Sequence, residues 1–342
     1  MKKEISLDNY RRVPTGELIA AADRSRAETA GDTVTWVKNR NINFTNVCEV
    51  KCRFCAFGRQ PGSEGGYLHE REEISRKVDE GCLEGISEVC IQGGINPGLD
   101  LKYYSSLLRE IKNRHPEVHI HAFSPMEIHS LSKRENKSYE HVIRALIDCG
   151  LGSIPGTAAE ILDDEVRKKL CPGKLSTKEW IEVIKTAHSL GIRSTSTILF
   201  GHIENESHIL NHLRVLKEIQ EETGGFTEFV PLLFIPFKTP LSKTIPDALP
   251  LEKTLRIYAI SRLFLGGVIR NIQASWVKLG HEGAIAALSA GANDLGGTLF
   301  EENITSSAGG NNPQGLSESS IRDLIAKAGR TARQRDTLYN FL

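Results

Sequence analysis

The sequence predicts an α/β fold, a (β/α)8 barrel of the TIM type, on two observations. From about residue 40 to the C-terminal end, short apolar runs alternate with longer amphipathic segments, which is the pattern of parallel strands joined by helices. No linker or change of composition divides the 342 residues, so one closed barrel is favoured over an open sheet. We expect a short N-terminal helical extension over residues 1–39 and the barrel domain over residues 40–342.

Strand-like runs and helix-like segments can be placed along the whole barrel domain. The strands are predicted at 42–47, 88–92, 118–123, 151–154, 195–200, 227–234, 268–274 and 294–299. The helices are predicted at 15–29 in the extension and at 71–82, 101–114, 139–148, 177–190, 206–221, 251–264, 282–289 and 318–333. Local signals mark the helix ends, since Ser176 precedes one helix as a capping residue and Gly81, Gly150 and Gly191 follow three others.

Charge and composition exclude several classes of function. The 43 Lys and Arg residues balance the 43 Asp and Glu residues, and no long basic run is present, so we expect no nucleic-acid partner. No run approaches the ~18 apolar residues that a membrane-spanning helix needs, so we expect no membrane partner. The first residues turn polar at once and lack the apolar core of a signal peptide, which favours a cytoplasmic protein.

Three of the seven cysteines, Cys48, Cys52 and Cys55, lie within eight residues of one another. An odd number of cysteines without a secretion signal argues against a disulfide framework. A structural zinc site usually needs four protein ligands, and His69 is the nearest candidate for a fourth. Three thiolates can instead hold three irons of a four-iron cluster and leave the fourth iron open. We favour the cluster over zinc, which stays an alternative.

The remaining cysteines are single and are expected to behave as small apolar side chains. Cys82, Cys90 and Cys149 stand among apolar neighbours, where a free thiol packs well in a core. Cys171 precedes a Pro-Gly pair in a predicted loop, and its role is less clear.

Candidate functional residues follow the predicted strands, where a barrel carries its active site. Gly93 and Gly94 follow the second strand, and such a pair permits a close approach of the backbone to a ligand or simply a tight turn. Glu160 follows the fourth strand, where its carboxylate can accept hydrogen bonds from ribose hydroxyls or begin the next helix. His202 and Glu204 follow the fifth strand and are candidates for proton transfer or substrate orientation, with a structural role as the alternative.

Two further groups lie near the last strands of the predicted barrel. Gln273 and Ser275 offer neutral hydrogen-bond donors and acceptors suited to a polar, uncharged heterocycle. Residues 301–303, Glu-Glu-Asn, are expected to form a solvated helix start rather than part of a site.

The C-x3-C-x2-C spacing of Cys48, Cys52 and Cys55, with Phe54 before the last cysteine, resembles the signature of the radical S-adenosylmethionine (SAM) enzymes. Four segments resemble one subgroup, which contains the F0 synthase subunits and two enzymes of futalosine-dependent menaquinone biosynthesis: 39–48, 55–57, 92–97 and 201–204. Within that subgroup, segments 121–128, 152–162 and 293–299 are most similar to the tyrosine-using subunit of F0 synthase. Phe300 is a small departure, since Met is expected there.

This resemblance implies a radical SAM (β/α)8 barrel with named cofactor residues. Cys48, Cys52 and Cys55 are expected to ligate three irons of a [4Fe-4S] cluster, and SAM is expected to chelate the fourth. The segment of Gly93 and Gly94 is expected to hold the amino group of SAM. Phe54 is expected to help seat the adenine, and Glu160 is the remaining cofactor-binding candidate.

The resemblance also implies a reaction, a step of F0 and coenzyme F-420 biosynthesis. An electron from the reduced cluster splits SAM, and the resulting 5′-deoxyadenosyl radical abstracts hydrogen from L-tyrosine. The Cα–Cβ bond of tyrosine then breaks, and the 4-hydroxybenzyl group adds to 5-amino-6-(D-ribitylamino)uracil. Expected partners are an electron donor and the ring-closing radical SAM subunit of F0 synthase, either as a complex or separately.

Two other functions remain open from the sequence. One is a radical SAM enzyme of futalosine-dependent menaquinone biosynthesis, either cyclic dehypoxanthinyl futalosine synthase or aminofutalosine synthase. Such an enzyme would cleave SAM with a menaquinone precursor rather than with tyrosine and ribitylaminouracil. The other is a non-enzymatic iron–sulfur electron carrier or a scaffold held together by zinc, although an electron carrier would need a fourth cysteine ligand.

Overall fold

The computed structural model describes residues 10, 12–310 and 315–342 of the chain. Residues 1–9 and 11 of the predicted extension and residues 311–314 of the predicted barrel domain lie outside the described residues. The strands are β1 (Thr33–Val37), β2 (Asn39–Ile42), β3 (Glu88–Ile91), β4 (His119–Ala122), β5 (Ser153–Ile154), β6 (Arg193–Phe200), β7 (Phe226–Leu233), β8 (Asp294–Gly297) and β9 (Thr331–Arg335).

The helices alternate with these strands along most of the chain. They are α1 (Thr15–Ala30), α2 (Arg71–Leu83), α3 (Leu101–Arg114), α4 (Pro125–Glu135), α5 (Tyr139–Ile147), α6 (Asp164–Leu170), α7 (Thr177–Ser189), α8 (Glu206–Thr223), α9 (Leu251–Leu265), α10 (Trp276–Leu288), α11 (Ile304–Ser307) and α12 (Glu318–Lys327). A 3-10 turn covers Pro240–Lys243.

The strands close into a parallel barrel. One sheet has the order β2-β3-β4-β5-β6-β7 and a second has the order β8-β1-β9, with all pairs parallel. β1 and β2 follow each other with one residue between them, and they join the two sheets because β1 pairs with β8 and β2 pairs with β3. Isolated bridges of Phe229 with Ile272 and of Gln273 with Asp294 connect β7 to β8. The predicted (β/α)8 architecture is confirmed.

The outer helices bury one apolar face each against the sheet. In α7 the buried side chains Trp180, Val183, Ile184 and Ala187 recur at helical spacing and form one stripe. The predicted start of this helix is confirmed, since the Ser176 side chain accepts a hydrogen bond from a backbone N–H in a capping box. The strands between the helices are buried on both faces, as expected for a parallel sheet covered by helices.

The first strand lies earlier in the chain than predicted. The predicted segment 42–47 is wrong beyond Ile42, because the ladder ends there and only isolated bridges follow. The polar side chains that come next bind the cysteine loop instead: Thr45 donates to the carbonyl of Tyr67 at 2.7 Å, and Asn46 accepts from the N–H of Tyr67 at 2.7 Å. Side-chain hydrogen bonds of this kind compete with strand pairing.

The C-terminal helix is shorter than predicted, and a strand follows it. The predicted helix 318–333 ends at Lys327, and Gly329 has a φ of 69°, a left-handed conformation that stops a helix. β9 was not predicted because Thr331–Arg335 lacks an apolar alternation; backbone pairing with β1 makes it a strand.

Other elements also differ in extent or were not predicted. The predicted strand 268–274 is reduced to bridges at Ile272 and Gln273, and the helix predicted at 282–289 begins earlier as α10. Helices α4 and α6 were not predicted, although α4 has a proline in its first turn and a capping box formed by Ser124.

Helix α1, the described helix within the proposed extension of residues 1–39, packs against α9. The Arg256 side chain fixes the chain before α1 by donating to the carbonyls of Tyr10 at 2.6 Å and Val13 at 2.8 Å. β1 also falls within residues 1–39 and belongs to the sheet, so the division between residues 39 and 40 stays a proposal. Among the described helices, none has the length and apolar character needed to cross a membrane.

Candidate active site

A cavity of about 330 Å³ lies at the C-terminal ends of the barrel strands, where a TIM-type barrel carries its active site. The predicted cluster and cofactor residues that line it are Cys48, Cys52, Phe54, Cys55, Gly93, Gly94 and Glu160. His202 and Glu204 are not among the lining residues. The structure thus brings the cysteines and the predicted cofactor residues together and leaves the histidine–glutamate pair outside the cavity wall.

The loop that carries the cysteines follows β2 and is fixed by backbone and side-chain hydrogen bonds at its start and beside the later cysteines. The N–H of Cys48 donates to the carbonyl of Arg59 at 2.7 Å, and Gln60 donates to the carbonyl of Cys48 at 2.9 Å. The N–H of Arg53 donates to the carbonyl of Leu170 at 2.9 Å, which ties the loop to α6. The positions of the thiols are therefore set by the surrounding barrel as well as by the loop.

Two of the thiols face one small space beside Gly58. A methyl group on Gly58 would lie 3.9 Å from Sγ of Cys55 and 4.0 Å from Sγ of Cys48. The N–H of Gly58 donates to Sγ of Cys55 at 3.5 Å. Glycine therefore keeps the space between these sulfurs open. In the part of the chain that the structure describes, no three His, Cys, Asp or Glu side chains converge on a position for a single metal ion.

A buried ion pair stands beside the cysteine loop. Nζ of Lys174 lies 2.5 Å from Oε1 of Glu160 and 5.2 Å from the ring centroid of Phe54. Burial raises the pKa values of the Cys48 and Cys52 thiols, and the positive charge of Lys174 acts to lower both. Burial opposes the charge on Lys174, but the carboxylate of Glu160 and the thiol of Cys52 raise its pKa. Lys174 therefore supplies a fixed positive charge next to the thiols.

Glu160 is held at the cavity wall by a strained segment after β5. Ala158 has a φ of 62° and Glu160 a φ of 47°, both in the left-handed region. The buried guanidinium of Arg167 donates to the carbonyl of Ala158 at 3.2 Å, and the N–H of Leu199 donates to the carbonyl of Glu160 at 2.8 Å. Strained backbone fixed in this way is typical of functional sites.

The glycine pair after β3 packs closely on the cysteine loop. A Cβ atom on Gly93 would stand 2.7 Å from the ring of Phe44, and one on Gly94 would stand 2.3 Å from the carbonyl oxygen of Val47. The N–H of Gly93 donates to Oε1 of Glu127 at 3.2 Å. A side chain at either position would therefore collide with the segment that follows β2. The predicted contact of the two glycines with SAM stays a prediction.

His202 and Glu204 form a local network in the loop after β6. Nδ1 of His202 lies 2.8 Å from Oε2 of Glu204, and Nε2 lies 3.0 Å from the carbonyl oxygen of Leu199. The Glu204 carboxylate also accepts from the N–H groups of Gly201 and His202 at 2.5 and 2.8 Å. Burial raises the pKa of Glu204, but the hydrogen bonds from His202 and the backbone lower it below its ordinary value. These contacts fix the loop, and the predicted catalytic role of the pair is not tested by them.

Neutral polar side chains occupy other parts of the cavity wall. Asn41, Gln92 and Gln273 line it together with Thr157 and Ser275. Gln92 accepts a hydrogen bond from the hydroxyl of Thr157 at 3.0 Å, which orients its amide. Gln273 and Ser275 thus line the cavity, as their place near the end of the seventh predicted strand suggested.

Comparison with known proteins agrees with this arrangement. The family model of the radical SAM superfamily matches residues 42–216, and the model of the CofH/MqnC C-terminal region matches residues 223–342. A protein of Archaeoglobus fulgidus named 5-amino-6-(D-ribitylamino)uracil–L-tyrosine 4-hydroxyphenyl transferase is 48% identical over 99% of this chain and 97% of its own length. This chain belongs to that transferase family. It is a radical SAM enzyme, and the superfamily's cofactors are a [4Fe-4S] cluster and SAM.

Two further similarities of this member of the transferase family are informative. FO synthase of Nocardia farcinica is 46% identical over 98% of this chain, but the match covers only 40% of its own length. Among solved structures, methylornithine synthase has a TM-score of 0.75 and 19% identity, with 97% of this chain and 95% of that chain covered. This second similarity supports the radical SAM barrel fold alone.

The sequence did not single out several residues that lie in the cavity wall or beside it. Lys174 and Lys278 are of a residue type that is common throughout the sequence, and only the tertiary structure shows that they line the cavity. Glu127 does not line the cavity but is buried beside it, where it accepts the N–H of Gly93. The Ser-Pro-x-Glu pattern around Glu127 could have indicated a helix start that holds the glycine loop. Glu302, expected to be part of a solvated helix start, does accept the N–H groups at the start of α11, but it also lines the cavity.

Proposed function

We propose that this chain transfers the 4-hydroxybenzyl group of L-tyrosine to 5-amino-6-(D-ribitylamino)uracil. The observation that carries the proposal is the similarity over nearly the full chain to relatives that have this transferase name. The three thiols in a single cavity support it, because that reaction needs radical chemistry at a protected site. The relatives have the transferase name rather than that of a menaquinone-pathway enzyme, so the transferase is the function we favour.

We infer that Cys48, Cys52 and Cys55 hold three irons of the cluster. The donor set fits, since the three thiols line one cavity and Gly58 leaves open the space that two of them face. When bound, the reduced cluster supplies the electron that cleaves SAM and starts the radical chemistry. Lys174 offsets the negative charge that the thiolates bring to the loop.

The proposed SAM site lies between the glycine loop and the Glu160 segment. The carbonyl of Gly93 accepts no hydrogen bond within the described part of the chain and is available to the amino group of SAM. Oε2 of Glu160 is likewise without a hydrogen bond among the described residues and can accept from the ribose hydroxyls. Phe54 presents an aromatic ring at the cavity wall for the adenine.

The rest of the cavity suits the two substrates. Neutral amides and hydroxyls of Gln92, Gln273 and Ser275 match the donors and acceptors of a uracil. The side chains of Leu232, Phe234 and Ile235 give the wall an apolar portion, which excludes water from a reactive carbon radical. The chain thus binds, orients and shields, while the cofactors supply the bond-breaking chemistry.

The assignments of partners, of catalytic residues and of location stay predictions. FO synthase is more than twice as long as the part that matches this chain, which leaves room there for a second activity. A complex of this chain with a separate ring-closing radical SAM protein is consistent with that length, and an electron donor is needed to reduce the cluster. The catalytic roles of His202 and Glu204 and the cytoplasmic location also stay predictions.

The test is an anaerobic incubation of the reconstituted protein with SAM, reductant, tyrosine and ribitylaminouracil, analysed by mass spectrometry. We expect 5′-deoxyadenosine together with a hydroxybenzyl–uracil adduct, and neither product when tyrosine is omitted. Deoxyadenosine formed only with a menaquinone-pathway precursor would overturn the proposed substrates. Absence of deoxyadenosine from protein with an intact, reduced cluster would overturn the proposed reaction.

A further inference from the structure

Lys278 is a second lysine of the active-site cavity, and neither the sequence nor the reaction proposed above assigns it a role. It lies in the first turn of α10, directly after the Gln273–Ser275 segment that lines the cavity. The backbone of α10 leaves the helical conformation at Gly280, with φ 70° and ψ 176°, so this first turn is separate from the rest of the helix. The break allows the turn with Lys278 to follow the cavity wall rather than the outer helix layer.

The two lysines of the cavity differ in their partners. Lys174 is paired with Glu160 at 2.5 Å. Within the described residues, Nζ of Lys278 makes no hydrogen bond and no ion pair, although the side chain is largely buried in the cavity wall. Burial lowers the pKa of Lys278, while the charges of Glu302, Cys55 and Glu160 act to raise it. An ammonium placed in this way is stabilised by an anion that enters the cavity.

The proposed reaction brings two carboxylates into the cavity, one on SAM and one on tyrosine. The resemblance to radical SAM enzymes implies that the carboxylate and the amino group of SAM would bind the open iron of the cluster. The carboxylate of tyrosine has no assigned partner, and the described cations that line the cavity are Lys174, which is already paired, and Lys278. Glu302 stands on the same part of the wall and offers a negative charge near Lys278. The two residues therefore present opposite charges to an α-amino acid.

We propose that Lys278 binds the α-carboxylate of the tyrosine substrate and thereby fixes the position of its Cα–Cβ bond. This inference rests on the proposed function, since it takes tyrosine as the substrate. Lys278 acts here as a binding and positioning residue. A charge-assisted hydrogen bond of this kind in a site shielded from water is expected to change affinity by about tenfold to a hundredfold.

The experiment measures ligand binding to the anaerobically reconstituted holoenzyme with SAM present and no reductant, so that no turnover occurs. Titration calorimetry gives the Kd of L-tyrosine and of tyramine, which lacks the carboxylate, for the native protein and for Lys278→Met and Lys278→Arg. The matched control is Lys185→Met, because Lys185 is an outer-surface lysine of α7 paired with Glu222. Iron and sulfide content and the Kd of SAM are measured for every variant to show that each is folded and loaded.

We expect the native protein to bind tyrosine at least tenfold more tightly than tyramine. In Lys278→Met this preference should disappear, with the Kd of SAM unchanged, and Lys278→Arg should restore part of it. Lys185→Met should behave like the native protein. An unchanged preference for tyrosine in a loaded Lys278→Met variant would overturn the inference, and so would a loss that falls on SAM instead.

Failure of the underlying function gives a different result. In that case the native holoenzyme itself would bind neither tyrosine nor tyramine, and no tyrosine-dependent deoxyadenosine would form on addition of reductant. A native protein that binds tyrosine and turns it over, together with an unaffected Lys278→Met variant, would overturn only the role of Lys278.

Discussion

The cysteines of this protein occupy two kinds of environment. Cys48, Cys52 and Cys55 are partly exposed to the active-site cavity, in a loop that follows a strand end. Cys149 is 3% exposed and packs among the apolar side chains behind α5, as its apolar neighbours in the sequence suggested. The same side chain is thus a candidate iron ligand in one place and a small apolar group in another, which allows a matched comparison.

Replacement of Cys55 by Ala should remove one proposed iron ligand. We expect a large loss of bound iron and sulfide and no detectable SAM cleavage, because an iron would lack its thiolate. Cys149→Ala should keep the cluster and the activity and lower the free energy of unfolding by about 1 kcal/mol, as for a small core truncation. Iron and sulfide analysis and a deoxyadenosine assay check both variants, and an active Cys55→Ala protein would contradict the ligand assignment.

Replacement of His202 tests whether the hydrogen-bond network of His202 and Glu204, which lies outside the cavity wall, matters for turnover. His202→Gln cannot keep both the contact with Glu204 and the contact with the carbonyl of Leu199, so the loop after β6 should be held less firmly. We expect turnover to fall several-fold with iron and sulfide content unchanged, measured as deoxyadenosine formed per minute. His141→Gln, at an exposed position of α5, is the control and should have native turnover. Native turnover in His202→Gln as well would remove the pair from the catalytic residues.

His212 provides a pH-dependent prediction. Burial lowers its pKa to about 3, and its Nδ1 accepts a hydrogen bond from the N–H of Leu162 at 3.0 Å. Below the ordinary value of 6.5 the unfolded chain binds a proton that the native state does not, so stability falls as the pH decreases. Relative to His212→Gln, the native protein should lose about 1.5 kcal/mol of unfolding free energy between pH 8 and pH 5.5. Urea unfolding at both pH values measures this, and an equal pH dependence in the two proteins would contradict it.

Residues of the candidate site could be predicted from the sequence where their chemistry is concentrated in a short segment. Three cysteines in eight residues are an uncommon pattern, and the structure places them at the cavity. The Gly93–Gly94 pair is one of several in the sequence and could be singled out only because it follows the strand next to the cysteines. Lys174 and Lys278 could not be singled out, because the sequence has many lysines and only burial distinguishes these two. The sequence pattern also could not show that His202 and Glu204 turn toward their own loop.

At the scale of the elements, the loop after β3 is fitted against the loop that carries the cysteines. A Cβ atom on Gly94 would stand 2.3 Å from the carbonyl oxygen of Val47 and 3.0 Å from Cβ of Cys48. Because the nearest atom belongs to the backbone, it cannot move aside by a rotamer change. The packing of these two loops therefore fixes the distance between the glycine segment and the first cysteine.

Gly94→Ala should displace the cysteine loop. We expect it to reduce the iron and sulfide content and to lower the free energy of unfolding by about 1–3 kcal/mol, the usual cost of overpacking. The control is Gly16→Ala in α1, where a Cβ atom meets nothing within 4 Å and alanine should stabilise the helix by about 0.5–1 kcal/mol. Unchanged cluster content in Gly94→Ala would show that the loop tolerates the displacement.

Elements with a strong local period could be predicted, and those set by tertiary pairing could not. Helix α7 has an apolar stripe and a capping residue within its own segment, so the sequence indicated both its face and its start. β9 has no such pattern and is a strand only because its backbone pairs with β1. The seventh predicted strand is likewise set by its neighbours, which pair with it only in two isolated bridges, at Ile272 and Gln273.

At the scale of the whole molecule, the C-terminal residues bind carboxylates near the starts of the barrel strands, and this network reaches the cavity wall through Gln273, which donates to Glu228. Arg335, at the end of β9, donates to Asp294 at 2.6 and 3.1 Å and lies 3.6 Å from Glu228. The hydroxyl of Tyr339 donates to Glu228 at 2.6 Å, and that of Thr337 donates to Glu88 at 2.7 Å. Glu88 and Asp294 are the first residues of β3 and β8, and Glu228 is the third residue of β7. The C-terminal segment therefore ties the starts of three strands together.

The last prediction concerns this buried network. Burial raises the pKa of Glu228 to about 7, and the positive charge of Arg335 acts to lower it. Arg335→Met would leave Asp294 and Glu228 buried with no cation, which should cost about 3–5 kcal/mol of unfolding free energy. Arg144→Met is the control, since Arg144 pairs with Glu140 on an exposed face of α5 and its loss should cost less than about 0.5 kcal/mol.

Urea unfolding and ligand binding, both measured for the two variants, separate a role in the fold from a role in the reaction. The network touches the cavity wall at Gln273, which donates to Oε2 of Glu228 at 3.3 Å, so the Kd of SAM and of tyrosine is measured for Arg335→Met under conditions where it remains folded. Native Kd values would show that the substitution acts on the fold alone. A loss of unfolding free energy equal to that of Arg144→Met would show that water reaches the network and that Arg335 contributes little to the stability of the fold. A loss near 3–5 kcal/mol would place the last residues of the chain among the main determinants of its stability.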